Sequence, residues 1–75
     1  MNSKLSTNAQ EVANSLIKAE KMFANISTEE NKTEFKTIME SVSKAYDSLS
    51  DSDKVFLDAM YKKYMSEYDK LSANE

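Results

Sequence analysis

The sequence predicts an all-α protein, an antiparallel up-down-up three-helix bundle, and three observations lead to this prediction. Apolar residues recur at alternating spacings of three and four along three segments, short polar stretches rich in helix-capping residues separate the segments, and the 75 residues include no glycine or proline. Such spacings place side chains on one face of a helix, whereas the period of two that marks a strand is missing. We expect residues 1–75 to form a single helical domain, because two domains would each be too small to bury a core.

The first predicted helix covers about residues 7–25. Thr7 followed three residues later by Gln10 is a weak form of the arrangement that caps a helix N-terminus. Asn25 is the residue expected to end the helix, because asparagine tolerates the left-handed conformation that commonly terminates helices. The predicted buried face consists of Leu5, Ala9, Val12, Leu16, Ala19, Phe23 and Ile26.

The second predicted helix covers about residues 28–48. Ser27 and Glu30 have the spacing of a capping box, and Glu29 and Glu30 lie where acidic side chains complement the positive end of the helix dipole. Its predicted buried face consists of Phe35, Ile38, Val42, Ala45 and Leu49.

The third predicted helix covers about residues 51–72, with Ser50 and Asp53 as its capping pair. Its predicted buried face consists of Leu57, Tyr61, Tyr64, Tyr68 and Leu71. Connections this short make consecutive helices antiparallel. Because no glycine follows the second helix, a helix continuous through residues 48–50 is the alternative, and it would give a long helical hairpin that forms a dimeric bundle.

Composition removes most catalytic and metal-binding chemistry. The chain has no cysteine and no histidine, so thiolate and imidazole ligands are missing, and its serines have no imidazole base to activate them. The acidic stretch at residues 47–58 departs from a calcium-binding loop, since its sixth position is Ser52 rather than glycine. We therefore predict no enzymatic activity, no catalytic residue, no cofactor and no metal site.

The charge pattern argues against nucleic acid as a partner. The chain has ten lysines and thirteen acidic residues, so its net charge is −3, and it has no arginine for bidentate phosphate contacts. A small helix-turn-helix transcriptional regulator and an acidic DNA-mimic inhibitor remain as alternatives. The chain contains no apolar run long enough to span a membrane. Residues 1–4 are followed by polar residues rather than by an apolar core, which is unlike a signal peptide. We expect a soluble, cytoplasmic protein.

The widths of the apolar faces predict where a protein partner binds. Around the second helix the apolar side chains fill an arc of about 120°, whereas on the first and third helices they spread over about 180°. A monomeric bundle does not need faces that wide, and tyrosine and methionine are enriched in interfaces. The alternative interpretation is that the tyrosine rings lie at the rim of the core with solvated hydroxyls. The predicted partner-binding residues are Ile17, Phe56, Tyr61, Met65 and Tyr68.

Taken together, these features predict a non-catalytic protein–protein interaction module that docks on, and inhibits or adapts, a larger partner protein. We expect the isolated chain to be a homodimer, because a small core combined with wide apolar faces leaves surface to cover. A self-assembling structural bundle is a further alternative. The abundance of lysine, asparagine, serine and glutamate suggests an AT-rich genome, and with the short length it suggests a phage or mobile-element accessory protein.

Overall fold

The structure is a computed structural model that describes residues 6–73. Three α-helices, α1 (Thr7–Ala24), α2 (Glu29–Asp47) and α3 (Asp51–Ala73), account for 88% of these residues, and none of them forms a strand. The predicted all-α, three-helix fold is confirmed. The chain leaves helical geometry between α2 and α3, so these are two separate helices rather than one continuous helix.

The N-termini of α1 and α2 are capped one residue away from the predicted positions. Ser6 caps α1 and Thr28 caps α2, each accepting a hydrogen bond of 3.1 Å from the backbone N–H three residues on. An N-cap residue needs an extended backbone, and the ψ angles of Ser6 and Thr28 are 164° and 157°. The predicted caps, Thr7 and Ser27, are wrong because Thr7 is already helical and Ser27 lies in the preceding turn.

The remaining helix ends agree only in part with prediction. The Ser50 hydroxyl accepts a hydrogen bond of 3.3 Å from the backbone N–H of Asp53, which confirms the predicted cap of α3. Asn25 does end α1, but its φ of −119° is not left-handed, and residues 6–73 contain no positive φ. At the ends of α1 and α2, the backbone N–H groups of Asn25 and Ser48 each donate a hydrogen bond to the carbonyl oxygen three residues back. These bonds satisfy carbonyl groups at the helix C-termini without a glycine.

The core consists of one buried face from each helix and Leu49, the second residue after α2. Its buried members are Ala9, Val12, Leu16, Ala19, Phe35, Met39, Val42, Tyr46, Leu49, Leu57 and Tyr64. The four buried residues of α1 all belong to its predicted face, of which Leu5 lies outside the described residues. Phe23 and Ile26, at the end of that face, are half-buried and pack against the core.

The buried face of α2 is rotated from the predicted one. Met39 and Tyr46 are buried, whereas Ile38 is half-buried and Ala45 is exposed. Adjacent apolar residues at 38–39 and 45–46 permit two faces with the same spacing of three and four. The structure uses the face that buries Tyr46, a much larger side chain than its neighbour Ala45.

The third helix is peripheral to the other two. Helices α1 and α2 contact each other far more extensively than either contacts α3. Although α3 is the longest helix at 23 residues, it buries only Leu57 and Tyr64, and Tyr61, Tyr68 and Leu71 are half-buried. Much of the surface of α3 is therefore left facing outward.

Aromatic rings join the three helices around one point of the core. Phe23 of α1 lies 5.4 Å from Phe35 of α2 and 6.2 Å from Tyr64 of α3, measured between ring centroids. Phe35 and Tyr64 are 6.4 Å apart and meet edge to face, an arrangement that aromatic pairs prefer. This cluster provides α3 with a contact to both other helices.

Cross-helix contacts follow a consistent order along the chain. From α3 to α2 they run through Lys54–Tyr46, Tyr61–Ser43 and Tyr68–Glu40, so the residue number falls along α2 as it rises along α3. From α1 to α3 they run through Ser6–Asp53 and Phe23–Tyr64, and both numbers rise together. None of these helices is long and apolar enough to cross a membrane, within the part of the chain that is described.

Candidate interaction surface

Tyr61, one of the predicted partner-binding residues, is engaged with α2. Its ring stacks on the ring of Tyr46 with centroids 3.8 Å apart and planes 4° from parallel. Its hydroxyl donates a hydrogen bond of 3.4 Å to Ser43 Oγ. The stacked face of the Tyr61 ring is therefore occupied within the chain.

Tyr68 and Tyr46 also tie α3 to α2 through their hydroxyl groups. The Tyr68 hydroxyl donates to the Glu40 carboxylate at 2.7 Å, and this bond, with a smaller effect of burial, raises the pKa of Tyr68. The Tyr46 hydroxyl donates to the Lys54 carbonyl oxygen at 2.9 Å, and burial followed by the charge of Asp58 raises the pKa of Tyr46. Hydrogen bonds from three tyrosines thus hold the α2–α3 contact.

The five predicted partner-binding residues fall into two groups. Tyr61, Met65 and Tyr68 are half-buried and pack against the core, on the side of α3 that meets α2. Ile17 and Phe56 are exposed, to 42% and 73% of their surface. The structure therefore does not bring all five into one exposed surface. Their assignment to a partner interface stays a prediction.

Phe56 belongs to an exposed apolar surface on α3 that sequence analysis recognised only in part. Its neighbour Val55 is 77% exposed, and Ala59, one turn further on, is also exposed. We call these three residues the outer patch. Val55 was missed because it lies nearly opposite Leu57 around the helix, outside the continuous apolar arc. The only signal in the sequence is that an apolar, β-branched residue occupies a position where the periodicity calls for a polar one.

Charged residues border the outer patch at both ends. Asp51 lies before it in the first turn of α3, and Lys62 and Lys63 lie after it, all of them exposed. Lys62 forms an ion pair of 3.2 Å with Asp58 one turn back. An exposed apolar centre with a polar rim is the usual composition of a protein-binding surface.

Ile17 lies on the side of α1 that borders α3. It follows Ser6 by eleven residues, about three helical turns, and the Ser6 hydroxyl donates to the Asp53 carboxylate of α3 at 2.8 Å. Phe56 follows Asp53 by three residues and so borders the same side of the bundle. Ile17 and Phe56 therefore flank the α1–α3 boundary from opposite helices.

Two shallow clefts lie on the surface of the described residues, one mainly on α3 and one on α2. One, of about 410 Å³, lies beside the outer patch and is lined by Tyr46, Lys54, Val55 and Asp58. The other, of about 490 Å³, lies at the start of α2 and is lined by Glu29, Glu30, Thr33 and Glu34. Both are wide open to solvent, and the described residues include no group of three acidic, histidine or cysteine side chains placed to hold a metal ion.

Comparison with known proteins adds no relative to this description: no family model, no curated protein and no solved structure matches the chain.

Proposed function

We propose that the protein is a non-catalytic interaction module that docks on a larger partner protein through the outer patch of α3, and that docking inhibits or adapts the partner. The observation that supports this proposal is the exposure of Val55 and Phe56, at 77% and 73%, side by side on a regular helix. Fully burying an exposed side chain of this kind contributes about 1.5–3 kcal/mol. Two adjacent side chains can therefore anchor a partner, and the helix holds them in place before binding.

The tyrosines provide a second argument for a non-catalytic role. Without histidine or cysteine, proton transfer would depend on carboxylate, lysine or tyrosine side chains with pKa values moved toward neutral pH. The pKa values of Tyr46 and Tyr68 are raised, which moves both groups further from that range. Their hydroxyls donate hydrogen bonds to the Lys54 carbonyl oxygen and the Glu40 carboxylate, and so hold α2 and α3 together.

The proposal includes an architecture for presenting the patch. Residues 1–75 form one domain in which α1 runs up, α2 down and α3 up, and the order of the cross-helix contacts supports this antiparallel topology. Ile17, which flanks the α1–α3 boundary with Phe56, is a peripheral contact for the partner. Tyr61, Met65 and Tyr68 contribute at the α2 edge through the part of their side chains that is exposed. We also propose a cytoplasmic location and a phage or mobile-element origin, and the support for both is the amino-acid composition alone.

Affinity capture with matched variants tests this proposal. The wild-type chain, Phe56→Lys and the control Thr37→Lys, which adds the same charge at an exposed position of α2, are immobilised and incubated with extract of the producing cells. We expect one stoichiometric protein to bind the wild type and the control and to be lost with Phe56→Lys. With that protein purified, Phe56→Lys should raise the dissociation constant by roughly tenfold or more.

Two other results would redirect the assignment. A partner that binds Phe56→Lys as tightly as the wild type would contradict docking through the outer patch. Retention on bulk duplex DNA that falls steeply with salt concentration would instead support the transcriptional regulator, because phosphate contacts release counterions.

A further inference from the structure

We propose that in the free protein the outer patch is covered by the outer patch of a second copy, with the two α3 helices antiparallel about a two-fold axis near residues 56–57. This inference rests on the proposed function, because it concerns the same surface. It adds a regulatory consequence, which is that self-association and docking on the larger partner exclude each other.

The apolar residues of the outer patch are arranged so that the patch can pair with itself. A two-fold axis at residues 56–57 brings Phe56 close to Phe56 of the second copy and sets Val55 opposite Ala59 of the second copy. The small Ala59 side chain lets the two helices approach closely, and each Val55 then packs over it. Such an isologous contact covers in both copies the two most exposed large apolar side chains of the described chain.

The charges at the ends of the patch match the same axis. Asp51 precedes Phe56 by five residues and Lys62 follows it by six, about 7.5 Å and 9 Å at the helical rise. Asp51 and Lys62 are eleven positions apart, about three helical turns, so both lie on one flank of α3. An antiparallel two-fold axis pairs like flanks and reverses direction, which places Asp51 of each copy against Lys62 of the other. A parallel two-fold axis would pair opposite flanks of α3 and would not bring Asp51 against Lys62.

The size of the patch implies a weak dimer. The helical segment from Asp51 to Lys62 is about 17 Å long. An interface confined to this segment is smaller than the roughly 800 Å² per partner that specific, stable complexes bury. The shallow cleft lined by Tyr46, Lys54 and Asp58 borders Val55 and extends the available surface. We therefore expect a dimer that forms in the micromolar range and that a larger partner can displace.

Analytical ultracentrifugation of the full chain tests the second-copy proposal. Over concentrations from about 1 µM to 1 mM, a range that brackets micromolar dissociation constants, the mass should rise from 8.5 kDa toward twice that value. Phe56→Lys should weaken dimerisation roughly thirtyfold, the size of a hot-spot substitution. Thr37→Lys should dimerise as the wild type does, and circular dichroism confirms that each variant is helical.

A charge exchange tests the antiparallel arrangement independently of Phe56. Asp51→Lys and Lys62→Asp alone each create like-charge contacts across the axis, and we expect each to weaken dimerisation by about tenfold at low salt. The double variant Asp51→Lys/Lys62→Asp restores opposite charges and should recover affinity to within about threefold of the wild type. Failure of the double variant to recover would overturn the antiparallel pairing.

The remaining outcomes separate this inference from the proposed function. A wild-type chain that stays at 8.5 kDa throughout overturns the second-copy proposal, and docking on a larger partner still stands if capture depends on Phe56. Dimerisation that is unchanged in Phe56→Lys also overturns it, since another face then mediates the contact. A Phe56-dependent dimer together with Phe56-independent capture supports the dimer and contradicts the proposed docking surface.

Discussion

Leu16 and Phe56 are both large apolar side chains on regular helices, yet the structure uses them in opposite ways. Leu16 is completely buried, and Phe56 is almost three-quarters exposed. Leu16 contacts the other helices from the centre of the α1 face, whereas Phe56 lies on the shoulder of the peripheral helix. Substitutions at the two positions should therefore affect different properties, stability at Leu16 and association at Phe56.

Truncation of the core should be costly in so small a domain. We expect Leu16→Ala to lower the free energy of unfolding by about 2–4 kcal/mol, because it removes buried contacts and leaves a cavity. Val42→Ala should cost less because fewer atoms are removed. Urea unfolding followed by circular dichroism measures both, with Ile17→Ala as the exposed comparison. If Ile17→Ala destabilises the fold as much as Leu16→Ala, the assignment of the core is wrong.

The cap of α2 distinguishes two adjacent residues that look alike in the sequence. Thr28→Ala should lower the free energy of unfolding by about 1 kcal/mol, because it removes the side-chain acceptor of a backbone N–H at the helix N-terminus. Ser27→Ala is the matched control and should change stability by less than about 0.5 kcal/mol. The reverse order of the two effects in urea unfolding would restore Ser27 as the cap.

The peripheral position of α3 should be visible in its dynamics. Because α3 packs less extensively than α1 and α2, its backbone amides should exchange with solvent faster than the central amides of the other two helices. Tyr68→Phe, which removes the bond to Glu40, should increase exchange in α3 more than in α1. Hydrogen exchange measured residue by residue tests this, and equal protection in all three helices would contradict it.

At the scale of the whole molecule, the tyrosines predict a loss of stability at high pH. The pKa values of Tyr46 and Tyr68 are raised in the folded chain, so the unfolded chain loses these protons first. Stability is then retained below the unfolded tyrosine pKa of about 10 and falls as pH rises through the folded values. Urea midpoints from about pH 8 to pH 11.5 should show this decline.

The variant Tyr46→Phe/Tyr68→Phe provides the comparison for that decline. It removes both titrating hydroxyls, so its midpoints should fall less steeply above about pH 10 than those of the wild type. Other groups titrate in both proteins, and the difference between the two curves isolates the tyrosines. Identical curves would show that neither hydroxyl links folding to pH.

Local sequence patterns are enough to predict the number of helices, their approximate ends, the buried face of α1 and the cap at Ser50. These features depend on residues within a few positions of each other. Periodicity defines a helical face, and a serine followed by acidic residues favours a helix start. Capping by Ser6 and Thr28 differed by one residue from prediction, because neighbouring hydroxyl residues offer the same chemistry and only the backbone conformation selects between them.

Which apolar residues face inward on α2 and α3 depends on how the three helices pack together. Two faces of α2 have the same spacing, and contact with α1 and α3 selects Met39 and Tyr46. The sequence grouped Tyr61 and Tyr68 with Phe56, yet the bonds to Ser43 and Glu40 turn the two tyrosines toward α2 and leave Phe56 outside. The exposure of Val55 likewise follows from the limited packing of α3. Periodicity records that a side chain is apolar and where it points around its own helix, whereas burial depends on whether another helix lies there.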